Sequence, residues 1–269
     1  VDACAALYVS WADFYHQKQD FVSEMKVIEE GIKRYPSSEF TADLKDKQRI
    51  VCMPSLSVQV THPYPQTEAE LRVTSKNLKG ATLEWYRLNL KASSSVFAQN
   101  LEHADLIKKY GTLVDKVRLD LPDTPTYKDT VSLLTSRMPE AGIYILKSIP
   151  DGYQDKIGYD VVHLSALQVV PFPMEGRKTE CHVVDCKTGK PVAGAELVFY
   201  SIPVPGNYTL YKMFKTDKQG KVVVPDMKES LWMHARAGKD EFMQVAYWSR
   251  RVLPTVNDSK KKVDRMDLF

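Results

Sequence analysis

The sequence predicts a mainly β protein with a helical N-terminal segment, in which two antiparallel β-sandwiches follow one another along the chain. Up to about residue 48, apolar residues recur at the three- to four-residue spacing of one helix face. From Ile50 onwards they alternate with polar residues, as they do on a half-buried β-strand. In the second half, turn signals separate the strands and no helical stretch intervenes, which favours a sandwich over a parallel α/β sheet.

Residues 1–48 are predicted to form a helical hairpin. The apolar positions that mark its two helices are Leu7, Trp11, Phe14 and Tyr15, and then Phe21, Met25, Ile28, Ile32 and Tyr35. Ser37 or Ser38 is a candidate N-cap for a third, short helix. The pattern resembles one tetratricopeptide-type unit, and such units bury their apolar faces by stacking on neighbours. We therefore expect the end of a helical array, within a chain that is part of a longer protein.

The first sandwich is predicted over residues 50–156. Its alternating stretches lie at 56–60, 69–74, 81–90, 117–121, 130–134 and 143–146. Within the third stretch the apolar phase slips, which indicates a β-bulge near Trp85 and Tyr86. A short helical insertion near residues 99–111 is expected to end with Gly111 in the C′ position.

The second sandwich is predicted over residues 157–256, after the turn-forming residues Pro150, Asp151 and Gly152. Its candidate strands are 159–170, 181–184, 196–200, 208–214, 222–224, 231–235 and 244–248. Residues 257–269 are polar and charged at first and then alternate again, so we expect a solvated linker and the start of a further domain.

Composition excludes several classes of protein. The 269 residues carry 37 Lys and Arg against 34 Asp and Glu, a formal net charge of +3. No basic stripe of the kind that binds nucleic acid is visible, so no nucleic-acid partner is predicted. The longest stretches without charged residues are interrupted by proline and polar residues, so no membrane span is predicted in this chain.

The sequence offers no catalytic, cofactor-binding or metal-ligating constellation, and we predict that the chain is not an enzyme. Nucleotide-binding glycine loops, zinc-protease helices and nucleophile elbows are absent. Six histidines are scattered along the chain: His16, His62, His103, His163, His182 and His234. For His163 and His234, which fall in predicted strands, a structural role is favoured over catalysis.

The four cysteines are Cys4, Cys52, Cys181 and Cys186. Cys181 and Cys186 lie five residues apart in an extended stretch, and this odd spacing directs their side chains to opposite faces, which disfavours a disulfide between them. Zinc-type Cys-x-x-Cys spacing is missing, so free thiols are favoured over ligands.

The most specific motif runs from Val183 to Tyr200 and continues from Lys215 to Pro225: Thr-Gly-Lys-Pro-Val-Ala-Gly-Ala, then Thr-Asp-Lys-Gln-Gly. Gly189 and Gly220 are expected to occupy turn positions with positive φ. The motif resembles macroglobulin domains of the alpha-2-macroglobulin family, and it is also similar to prealbumin-like and carboxypeptidase-regulatory-like sandwiches.

The surrounding sequence narrows this resemblance. The stretches Pro54–Val60, Ala69–Leu78 and Ala141–Leu146 resemble the domain that precedes the motif-bearing one in bacterial alpha-2-macroglobulins, and His163–Val170 resembles the opening of the latter. The likeness covers residues 50–269 and implies tandem macroglobulin-like, immunoglobulin-like sandwiches.

The resemblance implies a scaffold fragment of a cell-envelope or periplasmic protein that inhibits or traps proteases. Its implied partners are proteases, through the full-length protein, and neighbouring macroglobulin domains of the same chain. Many family members carry a Cys-x-Glu-Gln thioester, which this sequence lacks. An envelope binding or adhesion module, or a regulatory-like sandwich of a glycan-uptake system, is the alternative; such appended sandwiches usually come singly.

Overall fold

The computed structural model describes residues 2–60, 68–89, 101–175, 178–204, 207–225 and 231–246. Within these ranges a helical segment is followed by four antiparallel sheets that form two β-sandwiches. The predicted fold class is therefore confirmed. The predicted linker at 257–269 lies outside the described residues. Among the described helices, none is both long enough and apolar enough to cross a membrane.

The helical segment contains three helices: α1 (Asp2–Gln17), α2 (Phe21–Arg34) and α3 (Thr41–Val51). α2 begins where the Asp20 carboxylate accepts a hydrogen bond from the Ser23 amide at 3.1 Å. Gly31 allows the three helices to approach closely, because a Cβ atom there would lie 2.8–2.9 Å from Leu44 and Tyr8. The apolar core of this segment consists of Ala12, Met25, Ile28, Leu44 and Val51.

Two details of the helical segment differ from the expectation. α3 extends to Val51, three residues past the predicted end of the segment at residue 48. The predicted serine cap is also wrong, because α3 begins at Thr41 without a side-chain cap. Ser38 instead donates a hydrogen bond of 2.7 Å to Asp2, which ties the loop before α3 to the start of α1.

The first sandwich is formed by sheet 1, in the order β1-β2-β5, and sheet 2, in the order β4-β3-β6-β7. The strands of sheet 1 are β1 (Ser55–Val60), β2 (Glu68–Lys76) and β5 (Thr130–Arg137). Those of sheet 2 are β3 (Gly80–Leu88), β4 (Gly111–Asp120), β6 (Gly142–Pro150) and β7 (Gly158–Leu164). Leu71 and Val73 of sheet 1 pack against Leu83, Trp85 and Leu146 of sheet 2. This cluster is the core between the two sheets.

The strand β7 corrects the expected boundary between the sandwiches. The sequence placed residues 157–164 at the start of the second sandwich, whereas β7 pairs with β6 along its whole length. Val162 and Leu164 of β7 lie in the core of the first sandwich. The residues from Pro150 to Lys156 form a hairpin connection and not a domain linker, and we propose the boundary near Ser165.

The predicted bulge lies at the expected place but on the neighbouring strand. The register between β3 and β4 shifts between Trp85 and Tyr86, and the extra residue is Val114 of β4. β3 continues unbroken against β6. The apolar phase changes along β3 because Leu88 faces a second apolar cluster on the outer side of sheet 2.

The helical insertion is α4 (His103–Tyr110), and it covers that outer side of sheet 2 with Leu106. Residues 99 and 100 of the predicted insertion lie outside the described residues. Gly111 does not adopt the expected left-handed C′ conformation, since its φ is −85° and it begins β4. Glycine is required there for space, because a Cβ atom would lie 2.6 Å from the Ile107 carbonyl oxygen.

The second sandwich is formed by sheet 3, in the order β12-β9-β8, and sheet 4, in the order β11-β10-β13-β14. The strands of sheet 3 are β8 (Leu167–Met174), β9 (Lys178–Asp185) and β12 (Lys221–Val224). Those of sheet 4 are β10 (Glu196–Val204), β11 (Asn207–Lys215), β13 (Leu231–Ala237) and β14 (Asp240–Ala246). Val169 and Val183 of sheet 3 pack on Leu197, Phe199 and Met233 of sheet 4. These residues are at the centre of the second core.

Gly189 and Gly220 have φ values of +66° and +71°, as the turn motif predicted. In the first turn, the Asp185 carboxylate accepts hydrogen bonds from the amides of Lys187 and Thr188. In the second, the Asp217 carboxylate accepts from the amide of Lys221. The two turns differ in their surroundings, because Gly220 is buried and Gly189 is exposed.

The helical segment is fastened to the first sandwich by Asn77, a non-glycine residue with a φ of +53°. Its side-chain amide donates hydrogen bonds to the carbonyl oxygens of Val51 at 2.8 Å and Met53 at 3.3 Å. The backbone N–H of Asn77 donates a hydrogen bond to Thr124 Oγ1 at 2.9 Å. One residue in a left-handed turn therefore connects the end of α3 to the β2–β3 loop.

We predict that Gly220→Ala destabilises the protein more than Gly189→Ala does. Both substitutions place a Cβ atom at positive φ, which costs about 1–2 kcal/mol. At Gly220 the Cβ atom would also lie 2.7 Å from the Val183 carbonyl oxygen, whereas nothing lies within 4 Å at Gly189. Urea denaturation should show a clearly larger loss of unfolding free energy for Gly220→Ala; equal losses would contradict the turn geometry.

We predict that Asn77→Gly lowers the unfolding free energy by about 1–2 kcal/mol, because the two hydrogen bonds to the end of α3 are lost while the backbone stays unstrained. Asn77→Ala should cost about 1 kcal/mol more, since alanine disfavours positive φ. Urea unfolding followed by circular dichroism measures both. Equal stability of wild type and Asn77→Gly would show that the helical segment does not depend on this contact.

Candidate functional site

The described residues place the edge strand of the second sandwich against a face of the first. The outer face of sheet 2, on β6 and β7, lies against β14, the edge strand of sheet 4. Met243 of β14 is buried in one cluster with Ile143 and Ile145 of β6, and Leu106 of α4 closes the same cluster from its other side. The contact is thus an apolar interface and not a flexible linkage.

A polar contact fixes the chain segment that connects the sandwiches. The Ala166 amide, just after β7, donates a hydrogen bond of 2.8 Å to Asp240 Oδ2. Asp240 begins β14 immediately after the turn at Gly238, whose φ is +63°. The tip of the β13–β14 hairpin therefore holds the connection between the two units.

Two histidines from different sandwiches lie close enough at this interface to interact electrostatically. His234 of β13 is fully buried, and its Nε2 atom lies 2.9 Å from Glu241 Oε2. His163 belongs to β7 and lies opposite Ile143 on the outer face of sheet 2. Burial, together with the charge of His234, lowers the pKa of His163 to about 4, although Glu241 acts in the opposite direction. The folded interface therefore favours neutral His163.

An open cleft of about 590 Å³, lined in part by Glu241, lies between the strand ends of the two sandwiches. Arg87 pairs with Glu140 at 3.0 Å in the first sandwich, and Arg236 pairs with Glu196 at 2.8 Å in the second. Lys239 reaches Glu140 across the cleft at 3.7 Å. Charges of both signs alternate along this cleft, so it does not concentrate a field of one sign.

Three buried polar atoms at the cleft have no hydrogen-bond partner: Nε of Arg87, Nε of Arg236 and Oδ1 of Asp240. Buried donors and acceptors normally find a protein or water partner. Both guanidinium groups already pair with glutamates, and Asp240 already accepts from Ala166. These three atoms are positioned to hydrogen-bond to water molecules that bridge the two sandwiches.

The described residues contain no group of three or more His, Cys, Asp or Glu side chains that could hold a metal ion. Besides the His234–Glu241 contact at the interface, His16 contacts Glu24 and His182 contacts Glu180. His103 stacks on Tyr159. His62 lies outside the described residues. The three histidine–glutamate contacts lie in three different parts of the fold, so no site unites them.

All four cysteines are free. Cys181 is buried in the core of the second sandwich, where burial raises its pKa to about 12, and Cys186 is exposed. The two thiols are separated as the odd spacing predicted. Cys4 and Cys52 are exposed on the helical segment.

The sequence predicted His163 and His234 in separate strands and gave no indication that they lie near each other. Their interface could not be read from either strand alone, because alternation shows which side a residue lies on but not which sheet covers it. One signal was available: the stretch from Gly142 to Ile149 is apolar at nearly every position. Such a strand is covered on both faces.

Comparison with solved structures agrees with the fold described above. No protein-family model matches this sequence, and no curated protein matches it. Among solved structures, the chain is similar to native alpha-2-macroglobulin from Escherichia coli in a structure spanning domains MG0-NIE-MG1, with a TM-score of 0.56 and 17% identity. That match covers 71% of this chain and 64% of the other.

Two further structures give the same result. An Escherichia coli alpha-2-macroglobulin structure spanning domains NIE-MG1 matches with a TM-score of 0.51 and 15% identity, over 71% of this chain and 97% of that one. A variant of Salmonella alpha-2-macroglobulin matches with a TM-score of 0.53 and 17% identity, over 78% of this chain and only 13% of that one. The chain therefore has the fold of a small part of these bacterial proteins.

We predict that His163 makes the stability of the protein depend on pH. Because its folded pKa of about 4 lies below the ordinary value of 6.5, stability is complete above pH 6.5 and falls as the pH drops towards 4. The loss from pH 7.5 to 5 should be about 2 kcal/mol. His163→Gln should remove this part of the dependence in urea titrations. An unchanged slope in His163→Gln would contradict the prediction.

Proposed function

We propose that this chain is a scaffold segment of a bacterial alpha-2-macroglobulin-like protein that inhibits or traps proteases at the cell envelope. The observation that carries the proposal is the built interface between the two sandwiches. Met243, Ile143 and Ile145 bury apolar surface there, and Asp240 binds the connecting backbone. Such an interface holds two consecutive domains in one orientation, which a scaffold requires and independent binding modules do not.

The likeness to known structures supports the same proposal. The match to the NIE-MG1 structure includes nearly all of that fragment, and it includes consecutive domains and not a single sandwich. The motif around Gly189 and Gly220, with both glycines in left-handed turns, agrees with the macroglobulin resemblance.

The chemistry of trapping is assigned to the rest of the full-length protein. In the family, cleavage of a bait region triggers closure around the protease, and a thioester captures it in many members. The sequence contains no Cys-x-Glu-Gln. We assign no substrate and no cofactor to this chain; its proposed partners are proteases, through the whole protein, and adjacent macroglobulin domains. Its proposed location is the periplasm or cell envelope.

The proposal predicts different behaviour for the chain and for the full-length protein. The isolated chain should leave protease activity unchanged. The full-length protein should be cut at a discrete exposed segment outside residues 1–269 and become more compact, as measured by limited proteolysis and small-angle X-ray scattering. Cleavage without compaction, together with tight binding of a glycan by the isolated chain, would favour the binding-module alternative.

A substitution at the interface tests the scaffold role directly. Met243→Glu places a charge in the buried cluster of the interface, so it should loosen the sandwiches and increase the radius of gyration of the chain. Met213→Glu is the matched control, because Met213 is 56% exposed on β11. In the full-length protein, Met243→Glu should reduce compaction but leave bait cleavage unchanged. Normal compaction of this variant would exclude the scaffold role of the interface.

A further inference from the structure

The strand β5 presents a regular, uncharged edge on one side of sheet 1. In the order β1-β2-β5, one side of β5 pairs with β2, and no described strand pairs with its other side. An edge strand exposes backbone N–H and C=O groups that can pair with a further strand. Residues 130–136 contain no charged residue and no proline, and β5 pairs with β2 from Thr130 to Arg137 without a shift of register.

The other described edges carry features that oppose the addition of a strand. The pairings of β4 and β11 with their neighbours are interrupted by register shifts. β8 contains Pro171 and Pro173, and β12 is only four residues long. β1 and β14 both lie against β7. Bulges, proline, short strands and covering elements all protect an edge, so β5 is the described edge best suited to accept a strand.

On the outer face of sheet 1, β5 carries two apolar side chains next to this edge. Val131 is 47% exposed and Leu133 is 65% exposed, whereas Leu134 packs on the core of the first sandwich. Single exposed apolar residues are ordinary on a protein surface. Here two successive outward positions lie beside unpaired backbone groups, so a strand added to β5 would cover both.

The outward series on β5 is complementary to its own reverse. From its start to its end it consists of Asp129, Val131, Leu133, Thr135 and Arg137. Laid antiparallel with Leu133 opposite itself, two copies place Asp129 opposite Arg137 twice and Val131 opposite Thr135 twice. Opposite charges and β-branched residues are favourable cross-strand pairs. A shift of two residues in either direction removes both charge pairs, so the series selects one register.

Both charged ends are available for this pairing. Asp129 is exposed immediately before β5. Arg137 pairs with Glu68 of β2 at 2.5 Å, and its side chain remains 78% exposed. A guanidinium group has five N–H donors, so it can bind a second carboxylate while it keeps the first.

We propose that β5 pairs antiparallel with β5 of a second copy of this chain, about a two-fold axis beside Leu133. The pairing joins two copies of sheet 1 into one continuous sheet and closes the free edge of both. The reversed order of charges favours a second copy over an unrelated extended peptide, whose charges have no reason to match that order. The proposal goes beyond the protease-trap function and does not depend on it.

Sedimentation equilibrium of the chain over a concentration series tests the proposal. One strand pair buries less surface than a typical stable dimer, so a weak and reversible monomer–dimer equilibrium is expected. Leu133→Lys places two like charges opposite each other and should raise the dissociation constant about tenfold or more. Leu7→Lys on α1 is the matched control, because Leu7 is 66% exposed, and it should leave the dissociation constant unchanged. Neither variant should shift the urea midpoint, since both sites are exposed.

Reversal of the charges tests the register. Asp129→Arg and Arg137→Asp should each weaken self-association about tenfold, because each variant dimer contains two like-charged pairs. A mixture of the two variants should associate about as tightly as the wild type, because both pairs again have opposite charges.

Three results would contradict the pairing. A chain that stays monomeric at every concentration would overturn the proposal. A dimer that is lost in Leu7→Lys and kept in Leu133→Lys would place the contact on α1 instead. A mixture of the charge variants that associates no better than either variant alone would exclude the two-fold pairing of β5.

Discussion

The outer face of sheet 2 is apolar, and the arrangement of α4 and the two sandwiches follows from the need to cover it. Ile143 and Ile145 place two large side chains on the face that points away from the first core. α4 covers one part of this face and β14 of the second sandwich covers the other. The free energy gained by burying apolar surface is roughly proportional to the area removed from water. Because α4 and β14 exclude water from the same cluster, each stabilises the packing of the other. The relative position of the sandwiches is thus part of the fold.

The polar groups at this interface make it specific. Apolar contacts alone would tolerate sliding between two sheets, whereas Asp240 accepts a hydrogen bond from one backbone amide only in one register. His234 is fully buried and satisfied on one side by Glu241. Leaving such groups unpaired costs about 1–3 kcal/mol each. Apolar contacts therefore stabilise the interface, and a few directional hydrogen bonds fix its register.

The helical segment likewise combines close packing on one side of α1 with a directional contact that fixes its end to the first sandwich. Ala5 and Ala12 are fully buried on the inner side of α1, where Tyr8 also packs, and Gly31 of α2 lets the helices approach closely. Leu7, Trp11 and Phe14 remain exposed on the outer side. Asn77 then fixes the end of α3 to the first sandwich. The segment is therefore fixed to the first sandwich at the end of α3, and it exposes an apolar surface on α1. This arrangement is suited to holding neighbouring domains of a multidomain chain in one orientation.

The sequence by itself determined what depends on neighbours along the chain: the change from helical to alternating period, the phase slip at Trp85, and the left-handed turns at Gly189 and Gly220. Local backbone chemistry decides these features. The tertiary structure alone decided that β7 completes the first sandwich, that His163 lies near His234, and that Leu7 and Trp11 face outwards. Alternation and helical spacing identify an apolar face but not what covers it, because burial depends on elements far away in the sequence.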